Sequence, residues 1–355
     1  MVAVRLSATL YERFLTCPKA AAFSIDEDAK KLSMPSLRAA LGKVSHRLVE
    51  ESTRIPHTWS ESDIALWFDE NWRVYVEEQF LELVAHWAPN HVLKPESWPG
   101  YFATKAAAKS LVSKSSGLLP PKSTLNESLN PAIKQDIELR LPLVEQYLVS
   151  ADLGIVGKPD FVFLENDKAT IYDYKFGNNQ NDLEKHKLQM YFYQLLVESV
   201  LEVEVGRLAI VSSANKVLEI PFDLTALNRL KGDIPRVIDA IETKKVAAIP
   251  SSSNCRFCSF KSICDPFKSS QIDLLPGRPM VISGHVTKVQ RIDDKFQELM
   301  IRTSVKPDAA EVKVYAVPNG HEVKVGDSVL ITDNLDFKDS LIVGFSWNSR
   351  IFFNT

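Results

Sequence analysis

At 355 residues the chain exceeds the usual size of one compact domain, so a large domain with a smaller companion is the expectation. A content of 45% apolar and 25% charged residues is that of a soluble globular protein, and no apolar run is long enough to cross a bilayer, which excludes a helical membrane protein. The net charge of −3 argues against a generic nucleic-acid coating protein but permits a local basic groove balanced by carboxylates elsewhere.

The N-terminal stretch carries Arg5, Glu12 and Arg13 and lacks the apolar core of a signal peptide, so the expected location is the cytoplasm. Ser7 is placed to cap a short helix whose Leu6, Leu10, Phe14 and Cys17 fall on roughly one face, with Pro18 following. Residues 36–54 have the period of an amphipathic helix and contain Gly42-x-x-x-His46. Ser60–Ala88 is again helical in period, and five of the six tryptophans lie between Trp59 and Trp98, a spacing that favours a helical packing core over a base-stacking arch. Lys105, Lys109 and Lys114 follow on a further short helix and offer phosphate contacts, before a Ser-, Pro- and Asn-rich loop over residues 115–131.

Ile137–Val149 resumes strand character and holds two candidate acidic residues, Glu138 and Glu145. Phe161–Leu164 and Thr170–Tyr174 are apolar runs separated by Glu165-Asn166-Asp167-Lys168, which predicts a β-hairpin. Asp160 begins the first strand, and Asp173 and Lys175 end the second, so two carboxylates and an ammonium converge at one sheet edge. That combination suits a hard divalent cation and a polarised water. Asp182–Val200 reads as a helix with Gln189 and Tyr193 one turn apart on one face, and Arg207–Ser212 as a further strand. Phe222–Ala247 is helical in period and leads to Cys255-x2-Cys258-x5-Cys264. With Cys17 there are four cysteines, which would form disulfides in a secreted protein and bind metal or do redox chemistry in a cytosolic one. From residue 280 the pattern changes to five candidate strands, Val281–Gln290, Glu298–Thr303, Glu311–Ala316, Ser328–Thr332 and Leu341–Asn348, as expected of a small barrel of OB or SH3-like type. Tyr315, Phe337, Phe345 and Trp347 are its candidate stacking residues.

Gly157-x-x-Asp160, Asp173-x-Lys175 and Gln189-x-x-x-Tyr193, preceded by His46, resemble in order and spacing the motifs of the RecB-like branch of the PD-(D/E)XK nuclease superfamily. The tripeptide alone carries little, since Asp28–Lys30 and Asp336–Lys338 share it and read as surface charges. One cysteine before the catalytic motifs and three after them are similar to the iron–sulfur members of that branch, the CRISPR-associated nucleases, the AddB subunit and exonuclease V. The resemblance implies an α/β restriction-endonuclease-like core with a helical insertion (residues 56–135) in a domain spanning 1–275, followed by an all-β barrel over 276–355. It implies Mg2+ or Mn2+ held by His46, Asp160, Asp173 and the backbone carbonyl of Tyr174. Asp160, Asp173, Lys175, Gln189 and Tyr193 are then the catalytic set. It implies further a [4Fe–4S] cluster, in preference to zinc, on Cys17, Cys255, Cys258 and Cys264. The implied activity is DNA phosphodiester hydrolysis by a single-strand-preferring exonuclease of DNA repair, recombination or phage defence. The alternative is a non-catalytic or partner-dependent DNA-binding subunit of a helicase–nuclease, CRISPR-adaptation or defence complex. The chain itself has no G-x-x-x-x-G-K-[ST] loop.

Overall fold

A computed structural model describes residues 4–31, 33, 36–52, 54–56, 58–86, 94–98, 100–115, 142–175, 183–212, 217–256, 258–269, 281–303, 311–319, 321–332, 336–337, 342–344 and 350–353. In chain order the first part comprises helices α1 (Ala8–Thr16), α2 (Pro18–Ile25), α3 (Glu27–Lys31), α4 (Leu37–Ser52), α5 (Glu61–His86) and α6 (Tyr101–Ser115). Strands β1 (Leu143–Val144), β2 (Leu148–Ser150), β3 (Ile155–Gly157), β4 (Phe161–Glu165) and β5 (Lys168–Lys175) follow, then α7 (Leu183–Leu201), β6 (Val205–Ser212), β7 (Val217–Glu219) and α8 (Leu224–Glu242). The chain divides into two compact units. The first is Met1–Ala22, Leu37–Glu77 and Pro99–Val246, and the second is Phe23–Ser36, Glu78–Trp98 and Ala247–Thr355.

The first unit is organised by a five-stranded sheet in the order β1-β4-β5-β6-β7. Its hairpin turns on Asn166 and Asp167 alone, at φ 52° and 63°. Asn and Asp tolerate this left-handed backbone, whose twist matches that of the paired strands. Strand β5 pairs antiparallel with β4 and parallel with β6, with Asp173 opposite Ile210. A parallel pair needs a crossover, and α7 supplies it, packing on β2, β3, β5 and β6. Central β5 is covered on both faces: Ala169, Thr170, Ile171, Asp173 and Tyr174 are all buried.

The N-terminal segment opens with a capped helix and is tied to this unit through a backbone bridge. Ser7 Oγ accepts from the Leu10 amide at 3.2 Å and starts α1 as its sequence predicts. Fully buried Leu6 forms a parallel bridge to Ile155, with Leu6 N donating to Gly154 O and Val156 N to Leu6 O, each at 2.9 Å. Among the helices, Trp72 and Phe68 on α5 are fully buried and stacked at 5.8 Å, and Trp72 Nε1 donates to Tyr101 Oη at 3.0 Å. The aromatic spacing here therefore marks packing. Trp87, on the same sequence pattern, lies outside the described residues, as does the 116–131 loop.

Where one strand is expected over 137–149, the described part is two. Strand β1 pairs with β4, whereas β2 pairs with β3 in a separate two-stranded sheet. The break falls at Glu145, whose φ is +49° and whose amide donates to Asp160 O at 3.0 Å.

The second unit continues with helices α9 (Ser252–Arg256) and α10 (Asp265–Ser269) and a seven-stranded, mainly antiparallel sheet. Its strands are β8 (Val281–Arg291), β9 (Phe296–Thr303), β10 (Glu311–Pro318), β11 (Ser328–Thr332), β12 (Asp336–Phe337), β13 (Ile342–Gly344) and β14 (Arg350–Phe353). They run in the order β12-β13-β10-β9-β8-β11-β14 and enclose a core that includes Ile282, Val286, Leu299, Ile301, Val314 and Val329. Four of the expected strands are present, Ser328–Thr332 with the expected boundaries and the other three extended by one or two residues at one end. The fifth is the short β13, and β12 and β14 are additions. Phe345 and Trp347 lie outside the described residues.

Candidate active site

Asp160 precedes β4, and Asp173, Tyr174 and Lys175 end β5, so the hairpin brings them to one end of the sheet. Helix α4 brings His46 to the same place, and the kink at Glu145 turns a third acidic side chain toward it. His46 Nδ1 lies 3.1 Å from Glu145 Oε1 and 3.4 Å from Asp160 Oδ1. Single ligand atoms of His46, Glu145 and Asp160 all fall within 4.8 Å of one another. Asp160 Oδ2 accepts from the Tyr174 amide at 2.6 Å, which fixes the carboxylate across the hairpin.

A second group sits beside the first. Lys175 Nζ is 2.6 Å from Asp173 Oδ2 and donates to Gln189 Oε1 at 2.8 Å. Gln189 Nε2 reaches Asp173 Oδ1 at 3.2 Å and Tyr193 Oη at 2.9 Å, and that hydroxyl donates to Lys158 O at 3.2 Å. The i, i+4 spacing on α7 thus becomes a relay from the backbone of the Gly157–Asp160 turn to Lys175. Asp173 is 1% exposed, and its Oδ2 has an ion-pair partner but no aligned hydrogen-bond donor among the described residues.

The electrostatics follow from burial and proximity. Burial favours the neutral His46 ring, yet the hydrogen bonds and charges of Asp160 and Glu145 outweigh it and push the imidazole up to about 10. Burial, then the neighbouring Asp160 charge, lifts Asp173 to about 7 against the opposing pull of Lys175. Burial also opposes ionisation of Glu145, but His46 and Lys158 hold it below the usual carboxylate range. Tyr193 is raised by burial and then by the Asp173 and Asp160 charges, so it remains a neutral hydroxyl.

The structure brings together every residue expected at the metal and catalytic site, in a different grouping. Glu145, one of the two acidic candidates in the sequence, clusters with His46 and Asp160, while the Asp173 oxygens face Lys175 and Gln189. Glu138 lies outside the described residues. The Tyr174 backbone contributes its amide to Asp160. Lys158, which is not one of the motif residues, lies 2.5 Å from Glu145 Oε2. Its only sequence signal is its place inside Gly157-Lys158-Pro159-Asp160. Lys105 and Lys109 are paired to Asp69 at 2.9 and 2.5 Å, so that acidic side chain competes for the charge they would offer a phosphate. Among the cysteines, Cys17 caps α1 in the first unit. Cys255, Cys258 and Cys264 lie in the second, with the Cys258 amide donating to Cys255 O at 3.2 Å and the Cys264 amide to Lys261 O at 3.3 Å. None of the four is joined to another by a disulfide.

The sequence model described as the PD-(D/E)XK nuclease superfamily matches residues 5–265 of this chain. No curated protein matches it. No described helix is long and apolar enough to cross a membrane.

Proposed function

Because the chain belongs to the PD-(D/E)XK nuclease superfamily, we propose that it is a divalent-metal-dependent deoxyribonuclease whose centre is the cluster at the ends of β4 and β5. The observation that carries this reading is the adjacency of a His–Glu–Asp donor set to the Asp173–Lys175–Gln189 network. One imidazole and two carboxylates suit Mg2+ or Mn2+, and His46, Glu145 and Asp160 would hold the ion, with Asp173 next to it. A cation bound there polarises the scissile phosphate and lowers the pKa of a water.

The remaining work falls to the chain. Lys175, held by Asp173 and Gln189, orients the attacking water and offsets charge developing on the phosphate. Gln189 and Tyr193 keep Lys175 from swinging to solvent. We place a preference for single-stranded DNA ends, hence exonuclease action, beside this reading on the strength of the motif resemblance. The same resemblance supports a [4Fe–4S] cluster on Cys17, Cys255, Cys258 and Cys264 as a structural clasp, with a DNA- or partner-binding barrel of OB or SH3-like type behind it. What supports it is the sequence pattern, three cysteines within ten residues after the catalytic motifs and one before them. Protein purified anaerobically should then be brown and carry about four irons per chain, whereas stoichiometric zinc would replace the cluster with a zinc site.

The direct test is Mn2+- and Mg2+-dependent cleavage of end-labelled and internally labelled DNA, single- and double-stranded. Asp160→Asn and Lys175→Ala should each lower the rate by about 10²-fold or more. Cleavage at the full rate in both variants overturns the assignment.

A further inference from the structure

Lys158 stands between the end of β3 and Pro159. The proline restricts its backbone to extended conformations, and its carbonyl is pinned by the Tyr193 hydroxyl at 3.2 Å. Only the side chain has freedom. Its Nζ lies 2.5 Å from Glu145 Oε2 and 3.9 Å from Glu50 Oε2, and the side chain is 47% exposed. Glu145 is therefore shared: its Oε1 faces His46 and its Oε2 faces Lys158. Lys175, by contrast, is 25% exposed and tied at once to Asp173 and Gln189.

We infer that Lys158 is a phosphate-positioning residue that leaves Glu145 when a divalent cation arrives and transfers its ammonium to a phosphate of the bound strand. This rests on the metal-dependent nuclease reading above. A cation on Glu145 and an ammonium on the same carboxylate repel each other, so occupancy weakens the Lys158–Glu145 pair. A flexible four-carbon stem with three rotatable donors, half in solvent at the mouth of the site, can follow a new anion without moving the backbone. Two lysines with different tethers then divide the work: Lys175 stays fixed at the reacting atoms, and Lys158 couples cation occupancy to grip on the strand.

The two halves predict effects of opposite sign in Lys158→Gln. Calorimetric titration with Mn2+ alone should show binding about three- to tenfold tighter than in the unaltered protein, because a competitor for Glu145 is gone. At saturating Mn2+, KM for a labelled single-stranded oligonucleotide should rise about fivefold. Its dependence on log salt should become shallower by about 0.7, the loss of one phosphate contact, with kcat within about twofold. Lys158→Arg should restore the salt slope. Weaker Mn2+ binding in Lys158→Gln would make Lys158 a brace for Glu145 and overturn the inference, as would an unchanged KM and slope. Absence of Mn2+ binding by the unaltered protein would instead sink the metal-site reading beneath it. Unfolding midpoints of both variants equal to that of the unaltered protein exclude a folding defect as the source of either effect.

Discussion

Gly157 ends β3 beneath α7, and the site depends on its lack of a side chain. A Cβ at this position would lie 2.9 Å from Leu196 Cδ2, 3.1 Å from Tyr193 Cε1 and 3.4 Å from Tyr193 Cδ1. The leucine methyl can rotate away, but the ring is 7% exposed and held by hydrogen bonds to Gln189 and Lys158. Gly157→Ala therefore either separates α7 from β3 or tilts Tyr193, at a cost typical of overpacking, about 1–3 kcal/mol. A ring displaced by a few tenths of an ångström drags Gln189, and through it Lys175, off the reacting geometry. Since ~1 Å of misplacement can cost ~10²-fold, a fall in kcat of about tenfold is expected. Thermal unfolding measures the first effect and single-turnover cleavage the second. In a Tyr193→Phe background, where the hydroxyl relay is already cut, Gly157→Ala should still destabilise but lower the rate by only about twofold further. Full activity and unchanged stability in Gly157→Ala would refute the reasoning. An undiminished rate effect in the Phe background would refute the relay.

Asp173→Asn should abolish cleavage while stabilising the metal-free protein. The folded carboxyl titrates at about 7, above its unfolded value, so its favourable contribution is complete below about pH 4 and is lost as pH rises through 7. Offset by the lost ion pair with Lys175, the gain at pH 8 in chelator should be about 1–2 kcal/mol, or about 2–4 °C in Tm, and should vanish at pH 4. Equal shifts at both pH values would show that the carboxylate is not opposed by the fold. His46 runs in the same direction: its imidazolium pairing stabilises fully below about pH 6.5 and is lost as pH rises through about 10. A ligand imidazole must be neutral, so Mn2+ binding near pH 7.5 should release about one proton, visible as a dependence of calorimetric enthalpy on buffer ionisation heat. No buffer dependence would mean that His46 stays out of the ligand set.

Much of this centre is legible in the sequence because its parts obey local rules. Asn166-Asp167 between β-forming runs specifies a two-residue primed turn, and that turn alone sets Asp160 beside Asp173 and Lys175. One helical turn places Gln189 and Tyr193 on a common face of α7. Glu145 is different. It sits in a run that alternates like a strand, and no residue type marks the break, since the left-handed backbone there is held by a tertiary hydrogen bond to Asp160 O. Strand β7 is equally silent, because all three of its residues are exposed and it is held at the sheet edge by backbone pairing to β6. The charges of Lys105 and Lys109 are plain in the sequence, whereas their partner Asp69 lies on another helix and becomes visible only on folding.

The tie between Leu6 and Ile155 also constrains how the protein is made. Tyr11 Oη donates to Asp233 at 3.0 Å and the Val4 amide to Glu242 at 2.8 Å, contacts that span 222 and 238 residues. A ribosome adding about 5–20 residues per second exposes the first helix for about 10–50 s before these partners emerge. Leu6 meets its bridge partner Ile155 earlier, after about 150 residues, whereas the hydrogen bond of Tyr11 waits the full interval. The Leu6–Ile155 bridge can close once β3 has been made, whereas the contacts of Tyr11 and Val4 wait for α8, so the N-terminal segment docks on its unit in two steps separated by about 80 residues of synthesis.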